Sequence, residues 1–390
     1  MDRPTDREER DDAPDLTRRK LLRNTGLGAS ALLIPSLLAA CGSDSSSSAA
    51  SSTTATTAAS GESAELKAVL DGIKSKQVII ASYGGDTEAA RKRIFWDPFT
   101  ERTGVKVIQA DAGALGDQME MGQIPTKWDA FHGSTSESYA AQREGKKKLP
   151  TVPKLAYEDL IETKFQPYMW QSFFVGYVPA FLKGSFSGNE PKTWADYFDT
   201  KTFPGKRSWP GVAYTSGTRE AALLADGVAP SDIYPLDIER ADAKIKSIWD
   251  DFVFYNEFPQ VQSYLTSKTV AISFGPNGMW KGLANKGVET TVMWDSTPIL
   301  EPNGMNIMPE APNLDAVQAL ACFCAQPELQ AQFAKATNYG PPSKAAFSKL
   351  TKAEIATLPN APGRAVVSPD TVYLGGVQTK LANDNKKLFS

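Results

Sequence analysis

Two short pairs in this 390-residue chain are suited to holding a small charged solute. Gly84 and Gly85, in "YGGD", stand directly before a helical stretch, where exposed backbone N–H groups favour an anion such as a carboxylate. Arg219 and Glu220, in "SGTRE", supply a cation for a carboxylate and a carboxylate for an amine. Residues for bond-breaking chemistry are scarce by comparison. His132 is the sole histidine, which excludes multi-histidine metal sites and leaves one residue for any Ser-His or Cys-His arrangement. Its setting, "WDAFHGSTSES", reads as a buried strand ending in a polar loop, so a structural or pocket-lining role fits it better than a catalytic one. Cys322 and Cys324 lie two apart in a helical stretch and point about 200° from one another, a poor geometry for a disulfide. They read as small buried hydrophobes. No GxGxxG, P-loop, GxSxG or HExxH pattern is present, and the carboxylates form no acid–base constellation. The net charge is −3, and the one basic run after residue 40, Lys146-Lys147-Lys148, reads as a solvated loop, so nothing marks a nucleic-acid binder. The residues predict binding without catalysis, with no cofactor and no metal.

The elements that must position these residues alternate in an α/β rhythm. Strands are predicted at 77–81, 105–111 and 128–133, with a helix at 87–102 ended by Gly104 and a helical "SESYAAQREG" after the third strand. Polar loops at strand ends build an open sheet with its crevice at the carboxyl ends of the strands. A second unit begins after "FFVGYV" (173–178), with Thr193 as an N-cap, helices at 217–226 and 237–251, strands at 252–256 and 270–274, and a helix from Pro259 between them. "VETTVMW" leads to a segment at 304–309; Asn313 caps a further helix, and Pro327 starts another.

The N-terminus reads as an export leader. Thr17-Arg18-Arg19-Lys20-Leu21-Leu22-Arg23 resembles a twin-arginine signal, and Leu27 to Ala40 is an apolar stretch too short to span a hydrocarbon core of roughly 30 Å. Leu38-Ala39-Ala40-Cys41 resembles a bacterial lipobox, which implies cleavage before Cys41 and a lipid on its thiol. Ser43 to Ser60 is almost wholly Ser, Ala and Thr, a flexible tether with a reach of about 25 Å. Roughly 320 residues follow it, too many for one small core and suited to two lobes.

Three segments carry a family likeness. "KTWADYFDTKTFPGKRSWP" (192–210), "LLADGVAPSDIYPLDIERA" (223–241) and "ATNYGPPSKAA" (336–346) resemble the spermidine/putrescine type of extracellular solute-binding protein, the receptors of bacterial ABC importers. The likeness runs from about Gln77 to Leu350. It implies a type II periplasmic-binding-protein fold, two α/β lobes joined by crossing hinge strands and closing on a ligand. The expected organisation is a signal peptide at 1–40, lipidated Cys41 and tether at 41–62, a first lobe from 77–172 with a return segment at 301–350, a second lobe at 173–300, and a C-terminal segment at 351–390 packing on the second lobe. Carried over position by position, the family's site falls on Tyr83, Ser134, Glu220 and Tyr339. Ser136, Gly217 and Pro276 replace family aromatics or a carboxylate, and Pro302-Asn303-Gly304 replaces a hinge Trp-x-Asp. Two of three polyamine carboxylates are thereby lost. The set that remains suits a small amine-bearing or zwitterionic solute: Gly84, Gly85 and Arg219 toward its anionic end, Glu220 toward its amine, Tyr83 and Tyr339 as flat walls, with Asp86, Ser134 and Asn277 completing the pocket. The resemblance implies a monomeric, extracytoplasmic receptor, lipid-anchored through Cys41 and delivering its solute to permease subunits. Solute sensing without transport, and iron(III) binding, are the alternatives; no Tyr-Tyr pair of the kind iron sites use is present.

Overall fold

The computed structural model describes residues 62–82, 84–112, 128–134, 150–161 and 169–390. The leader, Cys41, the tether, Tyr83 and the helix expected at "SESYAAQREG" lie outside the described residues. The described residues belong to one compact unit.

Its strands are β1 (Gln77–Ser82), β2 (Lys106–Asp111), β3 (Ala130–Ser134), β4 (Met169–Leu182), β5 (Arg207–Pro210), β6 (Phe252–Tyr255), β7 (Ile272–Pro276), β8 (Thr290–Val292) and β9 (Ile299–Ile307). They form one sheet in the order β2-β1-β3-β9-β4-β7-β5-β6, with β8 beside β4. At one end β1 pairs in parallel with β2 and β3; at the other β5 pairs in parallel with β6 and β7. Between them β4 and β9 run antiparallel, from Met169 opposite Asn306 to Tyr177 opposite Ile299, with a bulge between Gln171 and Phe173. All of β4 but its last residue is buried, as a strand running through the middle of a sheet must be. The two long strands carry the chain from one lobe to the other, and the architecture is the two-lobed α/β fold.

The first lobe carries α1 (Ala64–Asp71), α2 (Gly85–Arg91) and α3 (Asp97–Thr103). The second carries α4 (Trp194–Phe198), α5 (Thr218–Ala225), α6 (Ile238–Lys246), α7 (Phe258–Thr266) and α8 (Gly278–Asn285). The chain then returns to the first lobe in α9 (Leu314–Cys324) and α10 (Pro327–Thr337), and ends with α11 (Lys352–Ala356) and the 18-residue α12 (Thr371–Leu388). The first core joins early and late segments through rings: Phe95 meets Trp170 edge-on at 5.8 Å and Phe333 at 5.2 Å, and Phe99 meets Phe323 at 5.6 Å. The second core stacks Trp209 on Phe252 at 4.8 Å and sets Trp194 edge-on to Phe274 at 5.0 Å.

Several elements differ from the sequence reading for local reasons. The helix expected at 87–102 begins at Gly85 and is broken by a π-turn at Lys92–Trp96 before α3. Pro98 accounts for the break, since it has no N–H to bond one turn back. Gly104 ends α3 in the left-handed conformation, as expected. Thr193 caps α4 in a reciprocal box with Asp196. Asn313 stands at the N-cap of α9 but its side chain does not cap; its backbone N–H and side-chain amide donate to the buried carboxylate of Asp129. The helix expected at 237–251 stops at Lys246. Strand β9 runs from Ile299 to Ile307 where the sequence marked only a segment at 304–309, and β5 and α12 were not anticipated. α12 packs on the second lobe: Asn385 donates to the carbonyls of Val212 (2.8 Å) and Tyr214 (3.2 Å), and Phe389 sits 4.9 Å from Phe254. Cys322 and Cys324 are buried and free, their thiols pushed up by burial.

Candidate functional site

A cavity of about 100 Å³ lies where the crossing strands meet the second lobe. That is below the 300–1,000 Å³ typical of drug-sized sites and suits a solute of few heavy atoms. Gly217 makes one wall possible. It turns the chain into α5 with φ 73°, and a β-carbon there would press on Tyr177 at 3.4 Å. The first turn of α5 then sends Arg219 and Glu220 inward, where they are 1 % and 3 % exposed.

Glu220 is held on one side only. Its Oε1 accepts from the Tyr234 hydroxyl at 2.7 Å, and among the described residues no hydrogen bond reaches Oε2. Burial raises the Glu220 carboxyl above its ordinary value, against the opposing Tyr234 hydrogen bond. Burial and the neighbouring carboxylate raise the Tyr234 phenol in turn. Arg219 lies 2.9 Å from Asp242 on α6 through Nε, an ion pair whose alignment is too poor for a hydrogen bond there; Nη2 donates to the same carboxylate at 3.3 Å. Its Nη1 is buried without a partner.

Glu301 joins this cavity and was missed in the sequence. It lies half-buried on β9, opposite Val175; burial raises the phenols of Tyr234 and Tyr339, and the Glu301 charge adds to it. The signal available was an acid in an otherwise apolar run, "PILEP", a stretch for which the sequence reading named no element. Ser134 lines the cavity from the end of β3, and Leu374 and Gln378 of α12 line the far side.

The other residues named from sequence lie elsewhere. Gly84 and Gly85 take left-handed backbone at the start of α2, and Asp86 beside them is exposed; none lines the cavity. Asn277 is engaged by backbone: its Oδ1 accepts from Gly176 N–H at 2.9 Å and its Nδ2 donates to the Asn338 carbonyl at 2.5 Å. The Tyr339 ring stacks on Phe173 at 4.7 Å and 11°, and its hydroxyl shares a hydrogen bond with Thr87. Neither Asn277 nor Tyr339 is in the cavity lining. His132 is buried on β3 against Phe173; burial, and then the positive Arg91, keep it well below the ordinary histidine value and so neutral. Arg91 itself pairs with buried Glu88 at 2.8 Å, and Glu88 also accepts from Ser82 and from the Trp96 indole. Among the described residues no cluster of three or more His, Cys, Asp or Glu could hold a metal.

A two-lobed fold with a small polar cavity at its crossing strands, lined by buried ionisable groups, defines a receptor for a small solute. Residues 95–363 match the bacterial extracellular solute-binding proteins, and the chain belongs to that family. A gamma-aminobutyric acid-binding protein of Pseudomonas aeruginosa is 25% identical over 305 residues, spanning 74% of this chain and 83% of its own length. The solved structure of the Atu4243 GABA receptor is similar at 28% identity and TM-score 0.70, over 80% of this chain and 98% of that one. An ABC transporter substrate-binding protein from Bradyrhizobium japonicum matches at 25% identity and TM-score 0.72, over 80% and 99%. The protein is a solute-binding receptor of an ABC importer, in a family of binding proteins that act outside the cytoplasm.

Proposed function

We propose that the solute is a small zwitterion of the ω-amino-acid kind, with its ammonium on Glu220 and its carboxylate on Arg219. The observation that carries this reading is Glu220 Oε2, a buried carboxylate oxygen with no hydrogen-bond partner on the wall of a small cavity. An ammonium supplies both the missing donor and the opposite charge that a buried carboxylate requires. Arg219 Nη1 offers the complementary donor for a carboxylate. The names of the Pseudomonas protein and of the Atu4243 receptor point to the same solute class. In this reading Ser134 lines the solute's path, and Gly84, Gly85, Asp86, Asn277 and Tyr339 make no direct contact with it.

Glu301 favours a second reading. Two carboxylates on one cavity suit a diamine such as putrescine, in keeping with the spermidine/putrescine likeness of the loops. Titration calorimetry on the chain from Gly61 onward separates the two. Heat with 4-aminobutyrate and none with putrescine or spermidine is the expected result; the reverse transfers the site to Glu220 and Glu301 acting together. The receptor is further proposed to be monomeric, exported by the twin-arginine route and anchored by lipid on Cys41, on the strength of the leader and lipobox residues.

A further inference from the structure

The two lobes also touch away from the cavity, at a place where one of them has no side chain. Gly278 opens α8, which packs on α7, β7 and β8 of the second lobe. Tyr339 follows α10, which packs on α2 of the first. A β-carbon on Gly278 would fall 2.6 Å from Tyr339 Cζ, 2.7 Å from its hydroxyl oxygen and 2.9 Å from Cε1. Such separations are well inside van der Waals contact, so the tyrosine ring lies directly against bare backbone. The ring has little room to retreat, because Phe173 stacks on it and Thr87 holds its hydroxyl. The adjoining residue, Asn277, reaches the same way across the lobes to the Asn338 carbonyl. One turn along the same face, Gly282 brings α8 near Asp86 of α2, whose carboxylate oxygen would lie 3.9 Å from a β-carbon there.

We propose that Gly278 is a positioning residue that sets how far the lobes close, by letting Tyr339 seat on the first turn of α8. The inference does not depend on which solute is carried. Gly278 has no left-handed backbone to protect, and alanine is the better helix former, so Gly278→Ala should leave α8 intact. What the methyl group cannot do is coexist with the seated ring. Gly282→Ala is the matched control: its β-carbon would meet the Nε2 end of Gln262 at 2.7 Å, which can swing aside by giving up its hydrogen bond to the Met279 carbonyl within the second lobe, and Asp86 only at 3.9 Å.

Three forms of the full chain are to be compared without solute, by small-angle scattering and by amide hydrogen exchange. Gly278→Ala is expected to enlarge the radius of gyration and to speed exchange around Thr87 and Asn338 on the opposite lobe, while α8 stays protected. Gly282→Ala is expected to match wild type. With 4-aminobutyrate as probe, Gly278→Ala should bind about tenfold more weakly, since the binding-competent closed form is less populated. Wild-type scattering and exchange in Gly278→Ala would overturn the proposal, and so would equal effects from the two alanines. Failure of 4-aminobutyrate to bind wild type counts against the proposed solute alone, because the solute-free comparison still decides the closure contact.

Discussion

Glu220 answers to two opposed requirements, a dry wall and a charged ligand group. Burial holds its carboxyl above the ordinary range, with Tyr234 pulling the other way. The folded protein therefore binds that proton more tightly than the unfolded chain does. Its charge lowers stability as pH rises from the ordinary carboxylate value through the raised one. An ammonium needs the ionised form, so amine affinity rises across the same window and falls on acidification. Glu220→Gln keeps an acceptor for Tyr234 and removes the charge. It is expected to raise the melting temperature of the free protein at neutral pH, to weaken 4-aminobutyrate by about 2–5 kcal/mol, and to flatten the pH dependence of binding. Melting curves and calorimetry across the acidic limb check all three, and wild-type affinity would remove Glu220 from the site. Glu220 was legible because the family likeness places a ligand carboxylate at that helix start, and Arg219 because it stands beside it with the opposite charge. Their partners were not. Tyr234 and Asp242 come from segments whose approach to α5 only the tertiary fold determines.

Among the elements, β1, β2, β3, β6 and β7 could be read from their β-branched and apolar runs, while β5, the start of β9 and α12 could not. β5 is four residues, "RSWP", led by an arginine that is fully buried because the carbonyls of Tyr197, Gly205 and Phe203 accept from it. A buried charge held by backbone carbonyls and set over the Tyr197 ring leaves no mark in composition. In β9, Pro302-Asn303-Gly304 has the chemistry of a turn, yet its pairing with Phe174, Phe173 and Gln171 of β4 keeps it extended. α12 contains Gly375 and Gly376 in its second turn and takes its stability from docking rather than propensity. That dependence is testable at Asn385, the side chain that joins α12 to Val212 and Tyr214. Asn385→Ala strands two carbonyls and is expected to lower stability by about 1–3 kcal/mol in denaturant melts. Because α12 also lines the cavity, affinity should fall with it; an unchanged midpoint would show that the docking is marginal.

For the molecule as a whole, the two-lobed plan followed from the α/β rhythm and from more chain than one core can use, whereas the sites of lobe-to-lobe contact were invisible before the fold. The proposed anchor belongs to this scale, because it decides where the receptor works. Labelling cells with a clickable fatty acid is expected to mark the wild-type protein, and Cys41→Ser should lose the label and move to the soluble fraction. Persistence of the label in that variant would rule out Cys41 as the attachment point. The discontinuous first lobe has a consequence in time as well as in space. Phe95 and Phe99 are synthesised roughly 220–240 residues before the Phe333 and Phe323 rings that cover them, an interval of about 10–50 s at 5–20 residues per second. The core that begins first thus waits for most of the chain, and through that interval Phe99 and part of the Phe95 ring, which Trp170 meets sooner, stay wet until the C-terminal third supplies Phe323 and Phe333.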